Sequence, residues 1–376
     1  MNQPIVFMPR HNNADLFNTD NYEVSTNAEV DAMLQENAVV AIGVSGGKDS
    51  QAAAIRLIQY LDEIGHTGPR VAIHAHLGSV EWVDSLPVCE RLCIRLGIEL
   101  IVVKRAAGGL MERWETRWKN NLARYESLEC VKLILPWSTP ALRFCTSETK
   151  TATICAELTK RYPGQKILSV TGVRHAESSA RAHMPISSPQ PKLSARKCFG
   201  LNWNPIITWS TPAVYRYLEM ENEQLHEAYT TYGTSRVSCT FCIMGSIGDL
   251  IASASCPDNA SIYRRMVELE IRSTFAFQGN RWLGDVAPHL LTPEQVQGLQ
   301  EAKRRAAIRQ EAEALLPAHL MYKKGWPEAI PTISEAMLIA SVRHTVSETV
   351  GIQADYLEPT AIIQRYIQLM DAKKAA

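Results

Sequence analysis

A short apolar segment leads directly into a glycine-rich turn and then into an amphipathic segment, and this order strongly constrains the fold. Residues 38–44 are apolar and rich in valine, which predicts a strand buried on both faces. The turn Ser-Gly-Gly-Lys-Asp-Ser follows at 45–50, and residues 51–65 have the apolar spacing of a helix. A strand, a tight turn and a helix in this order predict the first half of a βαβ unit.

The same alternation continues along the chain and predicts an α/β fold with a doubly wound, mainly parallel sheet. From about residue 259 onward, the apolar spacing indicates several helices. Further strands are predicted at 71–77, 98–104 and 166–172, and further helices at 107–127 and 148–160.

The length of 376 residues favours two domains rather than one. We expect residues 1–37 to form an irregular lead-in with a short helix. Residues 38–257 should form the α/β domain, and residues 258–376 a helical C-terminal domain.

Composition and charge exclude several classes of protein. Thirty-nine basic residues balance thirty-nine acidic ones, which excludes a bulk polycation but leaves room for a local basic groove. No apolar run approaches the ~20 residues needed to cross a bilayer, and the first residues lack the pattern of a signal peptide. Nine cysteines, an odd number, favour a reducing compartment and metal or catalytic thiols over disulfides. We therefore expect a cytoplasmic protein with no membrane partner.

The turn at 45–50 has the chemistry of a phosphate loop. Gly46 and Gly47 permit a tight turn and a close approach of backbone to a ligand. The free N–H groups and the dipole of the following helix favour an anion at the same place. Ser45 and Ser50 add hydroxyl donors, and Lys48 adds positive charge.

The loop is not a Walker A motif, because Ile42 stands where that pattern needs glycine and Asp49 where it needs Ser or Thr. Asp49 is suited to holding the turn or to binding a metal through phosphate. The alternative is a glycine-rich connection without a ligand.

The loop resembles the SGGKDS signature of the PP-loop ATP pyrophosphatases. The resemblance implies an adenine-nucleotide α-hydrolase-like fold and an enzyme that splits ATP between its α and β phosphates. Such enzymes adenylate an oxygen of a second substrate and release pyrophosphate, with Mg²⁺ bridging the phosphates. A nucleophile then displaces AMP.

Later segments resemble the phosphoadenosine-phosphosulfate reductase branch of that superfamily. HAHLGSVEW at 74–82 is similar to the strand-end segment of the family, with Gly78 and Glu81 matching. His76 stands where the family usually has aspartate. The further matches are RFCTSETK (143–150), TGVRHAESSAR (171–181), PIITWSTPAVYRYL (205–218) and AYTTYGTSRVSCTFC (228–242).

The resemblance implies a nucleotide and oxyanion site rich in positive charge. It assigns catalytic roles to Lys48, Asp49, Arg174 and Cys145. Because ligands bind at the carboxyl edge of an open parallel sheet, we expect the matched segments to meet there. The resemblance also implies ligand binding by the loop residues 45–50, and by Gly78, Glu81, Arg143, Lys150, Gly172, Glu177 and Arg181.

Two features separate the branches of this family. The sulfonucleotide reductases generally lack the lysine of the loop because they bind an already activated sulfate, whereas this chain has Lys48. The chain also lacks their C-terminal nucleophilic cysteine, because its last cysteine is Cys256. The sequence thus resembles an ATP-cleaving member, such as the ATP pyrophosphatase component of DNA phosphorothioation systems of the Dnd or Ssp type.

Four cysteines are candidates for a metal site. Cys239 and Cys242 form a Cys-x-x-Cys pair, and Cys145 and Cys256 complete a set of four thiolates. The resemblance favours a [4Fe–4S] cluster, and structural zinc is the alternative. A persulfide received from a cysteine desulfurase, a redox pair and simple packing remain open, and Cys198 competes as a ligand. The remaining cysteines, Cys89, Cys93, Cys130 and Cys155, are spaced like buried helix positions.

Three classes of function compete for the second substrate. The first is sulfur transfer to the DNA backbone, supported by a basic and aromatic segment at 104–124 and a stretch without carboxylates at 178–218. A solvated helix face and a polar loop are the alternatives for those segments. The second class is thiolation of a tRNA base or a small molecule. The third, an inactive nucleotide sensor, is opposed by intact Lys48, Asp49, Arg174 and Glu177.

Overall fold

A six-stranded sheet forms the centre of the computed structural model, which describes residues 22–375. The strand order is β3-β2-β1-β4-β6-β5, and all neighbouring pairs are parallel except β5 with β6. The predicted fold class is therefore confirmed. The strands are β1 (Val39–Gly43), β2 (Arg70–His76), β3 (Glu99–Lys104), β4 (Lys166–Val170), β5 (Ser187–Pro189) and β6 (Phe199–Trp203).

The strand order reverses between β1 and β4, and this point positions the site. From β1 the chain builds outward through β2 to β3, and it then returns to the other side of β1 with β4. Val40 of β1 lies in register with Leu168 of β4. A crevice opens beyond the carboxyl ends of two strands that diverge in this way, and ligands bind there in open α/β sheets.

Helices cover both faces of the sheet because the central strands are apolar on both sides. One core packs β1 against α1, α2, α3 and α7, and the core on the opposite face packs the sheet against α6. These helices are α1 (Ala28–Gln35), α2 (Lys48–Glu63), α3 (Ser85–Leu96), α6 (Ala152–Arg161) and α7 (Thr211–Met220); α4 (Leu110–Glu126) and α5 (Phe144–Thr146) lie between α3 and α6 in the chain.

The C-terminal helices pack onto α4 rather than onto the sheet. A third core joins Trp114 and Trp118 of α4 to apolar residues of the last helices, such as Tyr263 and Val346. The residues C-terminal to the sheet form α8 (Glu227–Thr230), α9 (Ile247–Ala254), α10 (Ala260–Ser273), α11 (Pro293–Ala314), α12 (Ile333–Val350) and α13 (Pro359–Ala375).

Buried arginines fasten this helical part to α4. Arg343 of α12 donates to the carbonyl oxygens of Tyr125 and Glu126 at the end of α4, at 2.8 and 3.1 Å. Arg309 of α11 pairs with Glu313 at 2.8 Å, and Glu313 accepts from the Leu133 amide at 2.9 Å. The division at residue 258 stays a prediction, and one core extends across it.

Two of the six strands differ from the sequence prediction. The stretch 178–218, for which the sequence left a polar loop as one alternative, contains the unpredicted strands β5 and β6. Only Gly200, Leu201 and Trp203 of β6 are buried, so the strand carries no continuous apolar run. The predicted short helix of the lead-in is α1, and residues 1–21 lie outside the described part of the chain. None of the helices between residues 22 and 375 combines the length and apolar character needed to cross a membrane.

Candidate functional site

The phosphate loop lies at the carboxyl end of β1 and at the start of α2. Gly46 has a φ of +74°, a conformation that residues with a Cβ rarely adopt. Ser50 donates to the Gly47 carbonyl at 2.8 Å and accepts from the Ser45 amide at 3.2 Å. The serine hydroxyls therefore hold the turn in shape as well as lining it.

Lys48 is buried beside this loop, with only 4 % of its surface exposed. Its Nζ atom lies 3.2 Å from Asp49 Oδ2 and 3.4 Å from the Ser235 carbonyl oxygen. It also faces the rings of Tyr229 and Tyr215, at 5.1 and 5.6 Å from their centroids. Two aromatic faces and a carboxylate thus fix the ammonium group. The sequence analysis did not single out either tyrosine, although Tyr215 and Tyr229 both fall inside matched segments.

The Tyr229 hydroxyl occupies the helix start itself. It accepts hydrogen bonds from the backbone amides of Lys48 and Val237, at 3.3 and 3.0 Å. Burial raises the pKa of this hydroxyl, so it stays protonated. A phosphate oxygen that accepts a hydrogen bond from the Lys48 amide must therefore replace this hydroxyl.

Arg174 is a buried strut between the loop and α7. Only 1 % of its surface is exposed, and its Nε atom donates to Asp49 Oδ1 at 2.7 Å. Its terminal nitrogens donate to the Trp209 carbonyl at 3.1 Å and to the Thr211 hydroxyl at 3.2 Å. Arg174 therefore orders Asp49 and α7 rather than facing open solvent. Thr211 was not anticipated from the sequence.

The rest of the 171–181 segment supports this strut. Gly172 packs against the start of α2, because a Cβ built on it would lie 2.6 Å from the Asp49 carbonyl oxygen. Glu177 accepts from the Arg174 amide at 2.8 Å and forms an ion pair with Arg181.

The segment after β2 is organised by a buried histidine that the sequence analysis missed. His74 Nε2 lies 2.8 Å from Glu81 Oε1, and its Nδ1 lies 3.0 Å from the Val44 carbonyl. Burial alone favours the neutral ring, but the Cys89 thiol and the Glu81 carboxylate outweigh it and raise the pKa of His74 to about 10. Glu81 also accepts from the Leu77 amide at 3.1 Å. Gly78, at φ +79°, lies in the turn between Leu77 and Glu81.

All three predicted ligand-binding carboxylates form ion pairs within the protein. Asp49 faces Lys48 and Arg174, and Glu81 faces His74. Glu177 is held by Arg181. The predicted role of Asp49 as an anchor of the turn fits this arrangement, and its help in binding a metal through phosphate stays a prediction.

Two of the candidate thiols lie near a third, Cys239. Cys145 and Cys242 are both close enough to Cys239 to influence its ionisation, and burial raises the pKa of the Cys239 thiol to about 12. Cys239 is joined to Glu81 by a β-bridge, which places the Cys-x-x-Cys pair beside the segment after β2.

The predicted set of four thiolates is not assembled. Cys256 packs in a separate small core with Trp82, Ala228 and Tyr232. Among residues 22–375, no group of three or more His, Cys, Asp or Glu side chains is arranged to hold a metal ion. Three neighbouring thiols fit iron or zinc in donor chemistry, but the ligand geometry is not formed. Cys198, the competitor, is buried and donates to the Tyr162 carbonyl.

The remaining predicted cations lie around the same edge. Arg143 is exposed just before α5 and donates to the Thr146 hydroxyl at 3.2 Å. Lys150 lies near Cys239 and acts on its ionisation. Arg236 lines a small pocket with Cys239 and Cys242.

The basic and aromatic helix expected at 104–124 is mainly a structural element. Trp114 and Trp118 are buried in the third core and offer no stacking face to a base. Arg113 pairs with Glu148 at 2.6 Å, and Arg117 lies over the Phe144 ring at 4.8 Å. The opposite face of the helix, which includes Lys119 and Asn120, is exposed, in agreement with the alternative of a solvated face.

Comparisons with solved structures give only distant likenesses. The chain shares 16 % identity and a TM-score of 0.36 with an FMN adenylyltransferase from Candida glabrata, covering 55 % of this chain and 56 % of that one. It shares 13 % identity and a TM-score of 0.35 with a phosphoadenylyl-sulfate reductase from Candida auris, covering 58 % of this chain and 97 % of that one. With the U34-tRNA thiolase NcsA from Methanococcus maripaludis, solved with its [4Fe–4S] cluster, it shares 15 % identity and a TM-score of 0.30, covering 75 % of each chain. The chain thus spans little more than half of the adenylyltransferase, and no functional conclusion follows from these likenesses.

Comparison with curated protein sequences gave no match. The family comparison is decisive, because residues 39–250 match the phosphoadenosine phosphosulfate reductase domain. This range contains the phosphate loop, the 171–181 segment and the Cys-x-x-Cys pair, and it covers more than half of the chain. The chain therefore belongs to the phosphoadenosine phosphosulfate reductase domain family of the PP-loop superfamily.

Proposed function

We propose that this protein is an ATP pyrophosphatase that adenylates an acceptor oxygen so that sulfur can replace it. The observation that carries the proposal is Lys48, buried behind the glycine turn at the start of α2. An ammonium group at a helix start favours a polyanion, because its charge and the helix dipole act in the same direction. A reductase that receives activated sulfate has no need of this lysine, so its presence favours ATP.

In the first step, the acceptor oxygen attacks the α-phosphorus of ATP. The bond from that phosphorus to the bridging oxygen breaks, and pyrophosphate leaves. Lys48 and the amides of the loop stabilise the charge that develops on pyrophosphate, after its oxygen has replaced the Tyr229 hydroxyl. Asp49 and Arg174 are positioning residues, because they hold the lysine and the helix start.

Mg²⁺ bound with ATP would neutralise part of the phosphate charge. Because the predicted carboxylates are already paired, we propose that phosphate oxygens are its main ligands.

In the second step, a sulfur nucleophile attacks the adenylated atom, and AMP leaves with the acceptor oxygen. The proximity of Cys145, Cys239 and Cys242 supports a persulfide route, with a cysteine desulfurase as donor. The outer sulfur bonds to the acceptor, and a second thiolate then attacks the inner sulfur. The modified acceptor departs, a disulfide remains, and an external thiol reduces it.

A [4Fe–4S] cluster on the same three thiols is the alternative sulfur carrier, and zinc would indicate a structural role. Iron, acid-labile sulfide and zinc measured on anaerobically purified protein separate these possibilities. Metal-free protein that accepts a persulfide supports the first route.

For the acceptor, we propose the backbone phosphate of DNA. The stretch 178–218 contains ten or more polar side chains but no carboxylate, which suits a surface that meets phosphates. A tRNA or small-molecule acceptor would be activated by the same chemistry. The acceptor is identified by which of these molecules stimulates ATP cleavage.

The decisive assay measures pyrophosphate and AMP separately from phosphate and ADP, with and without duplex DNA or tRNA. We expect Lys48→Ala to abolish pyrophosphate release while the chain stays folded by circular dichroism, since it removes the charge that stabilises the leaving group. Lys119→Ala, which changes an exposed lysine of α4, is the matched control and should retain turnover. ADP with phosphate, or unchanged release from Lys48→Ala, would refute the proposal.

Family membership favours one second candidate, a reductase acting on a nucleotide that carries activated sulfate. Sulfite release from such a nucleotide with a thiol reductant, in the absence of pyrophosphate formation from ATP, would select it.

A further inference from the structure

A groove of about 460 Å³ runs between α6 and the segment 190–197, on the face of the sheet that α6 covers. One wall is formed by Ala152, Ala156 and Thr159 of α6, and the other by Lys192, Ser194 and Arg196. The groove is open along its length, and its walls are made mostly of small side chains. An extended chain can therefore approach the protein backbone closely.

The groove is positively charged and has no acidic lining within the described residues. Lys192, Arg196 and the neighbouring Lys197 are exposed and form no ion pair in the described part of the chain. The Lys192 ammonium group donates to the Ser147 carbonyl at 2.8 Å. By contrast, Lys160 and Arg161 at the end of α6 are paired with Glu157 and Glu99.

The segment that carries both cations of the groove contacts both ends of α6. Lys192 contacts Ser147 in the turn before α6, whereas the Arg196 carbonyl accepts from Gly164 in the turn after it. The part of α6 that lines the groove, from Ala152 to Thr159, extends about 10 Å. That span exceeds the size of one phosphate and suits a repeating polyanion.

One end of the groove lies near Cys145 of the candidate site. Ser147, the contact of Lys192, follows Cys145 by two residues, and Cys145 lies near Cys239. No aromatic side chain lines the groove in the described residues, so it offers contacts to phosphates rather than stacking faces to bases.

We propose that this groove is a binding track for the sugar-phosphate backbone of a nucleic acid, independent of base sequence. The inference rests on the proposed function in one respect, namely that the acceptor is a nucleic acid. It adds the path by which the backbone reaches the thiols, and it assigns phosphate contacts to Lys192 and Arg196.

The test is the salt dependence of binding, measured by fluorescence anisotropy on the full chain without ATP. The probes are a labelled DNA duplex, the matching single strand and an RNA hairpin. The groove variant carries Lys192→Gln and Arg196→Gln, and the control carries Lys119→Gln and Lys324→Gln. All four positions are exposed, and glutamine keeps most of the side-chain length.

We expect the groove variant to bind at least about tenfold more weakly at moderate salt. Its slope of log K against log salt should fall by about 2, since each lost duplex phosphate contact removes about 0.9. The control should keep the slope of the parent chain. The probe with the larger loss identifies DNA or RNA as the ligand.

Equal slopes for the groove variant and the control, or no binding of any probe, would overturn the proposal. Both variants should keep the parent melting temperature, which separates lost contacts from unfolding. Because binding is measured without ATP, a chain that binds through the groove but forms no pyrophosphate refutes the proposed function and leaves the track intact.

Discussion

At the scale of single residues, Arg174 illustrates how burial changes the role of a charged side chain. It is held by Asp49, the Trp209 carbonyl and the Thr211 hydroxyl, so its charge is compensated inside the protein. Removing one partner of a buried pair leaves the other charge without compensation, which is more costly than replacing both.

We expect Arg174→Met to lower the free energy of unfolding by roughly 3–5 kcal/mol. The double variant Arg174→Met, Asp49→Asn should lose less than the sum of the two single losses, because the ion pair between these side chains is removed only once. Urea unfolding of the parent, both single variants and the double variant measures the coupling. Additive losses would show that the two side chains do not act as a pair.

His226 makes the phosphate loop sensitive to acid. Its Nδ1 atom accepts from the Ala228 amide at 2.9 Å, which requires a neutral ring, and its Nε2 atom lies 3.2 Å from the Ser85 hydroxyl. Burial lowers the pKa of His226 to about 4, although Asp84 opposes the shift. The ring packs against Gly46, so its protonation would disturb the loop.

The folded-state pKa of His226 lies below the ordinary value of 6.5, so the unfolded chain binds the proton more readily. The stability from the neutral ring is complete above pH 6.5 and is lost as the pH falls toward 4. We expect a decrease on the order of 3 kcal/mol across that window. His226→Asn keeps an acceptor for Ala228 and should flatten the dependence in urea unfolding at pH 7.5 and 5. Parallel curves for parent and variant would exclude His226 as the cause.

At the scale of secondary structure, the start of α2 depends on how closely β4 ends against it. Gly172 follows β4, and a Cβ there would lie 2.6–3.0 Å from backbone atoms of Asp49 and Ser50. Backbone cannot move aside as a flexible side chain can. The glycine is therefore required by contact between two elements, not by its own dihedral angles.

We expect Gly172→Ala to displace the phosphate loop, to lower the free energy of unfolding by about 1–3 kcal/mol and to weaken ATP binding. Gly248→Ala is the matched control, since its Cβ would make only an ordinary van der Waals contact, 3.7 Å from the Ser246 hydroxyl oxygen, and alanine favours helix within α9. Thermal unfolding and ATP titration measure both effects. A Gly172→Ala chain that binds ATP as tightly as the parent would contradict the argument.

At the scale of the whole molecule, α4 links the sheet to the C-terminal helices. Trp114 packs with Trp137 and Phe277 at ring distances of 5.3 and 6.1 Å, and Arg343 closes the end of α4. These contacts lie on both sides of the boundary predicted at residue 258.

A chain ending at residue 257 should therefore expose the apolar face of α4 and aggregate or bind a hydrophobic dye. Size-exclusion chromatography and dye fluorescence, compared with the full chain, provide the measurement. A monomeric fragment with a sharp melting transition would show instead that the α/β part folds alone.

The strand–loop–helix at 38–65 and four parallel strands were predictable from the sequence, because buried strands and amphipathic helices have periods that a local pattern carries. The family was predictable from the motifs that the chain shares with it. The sequence did not determine β5 and β6, whose short, mixed segments become strands only through pairing with β4 and one another.

The roles of several charged residues became visible only in the three-dimensional arrangement of the chain. The tertiary structure enclosed Arg174 and Lys48, set Tyr229 over the loop, brought Cys145 to Cys239 without Cys256, and turned the tryptophans of α4 into core. Each outcome depends on contacts between residues far apart in the chain, whose desolvation and pairing no local pattern encodes.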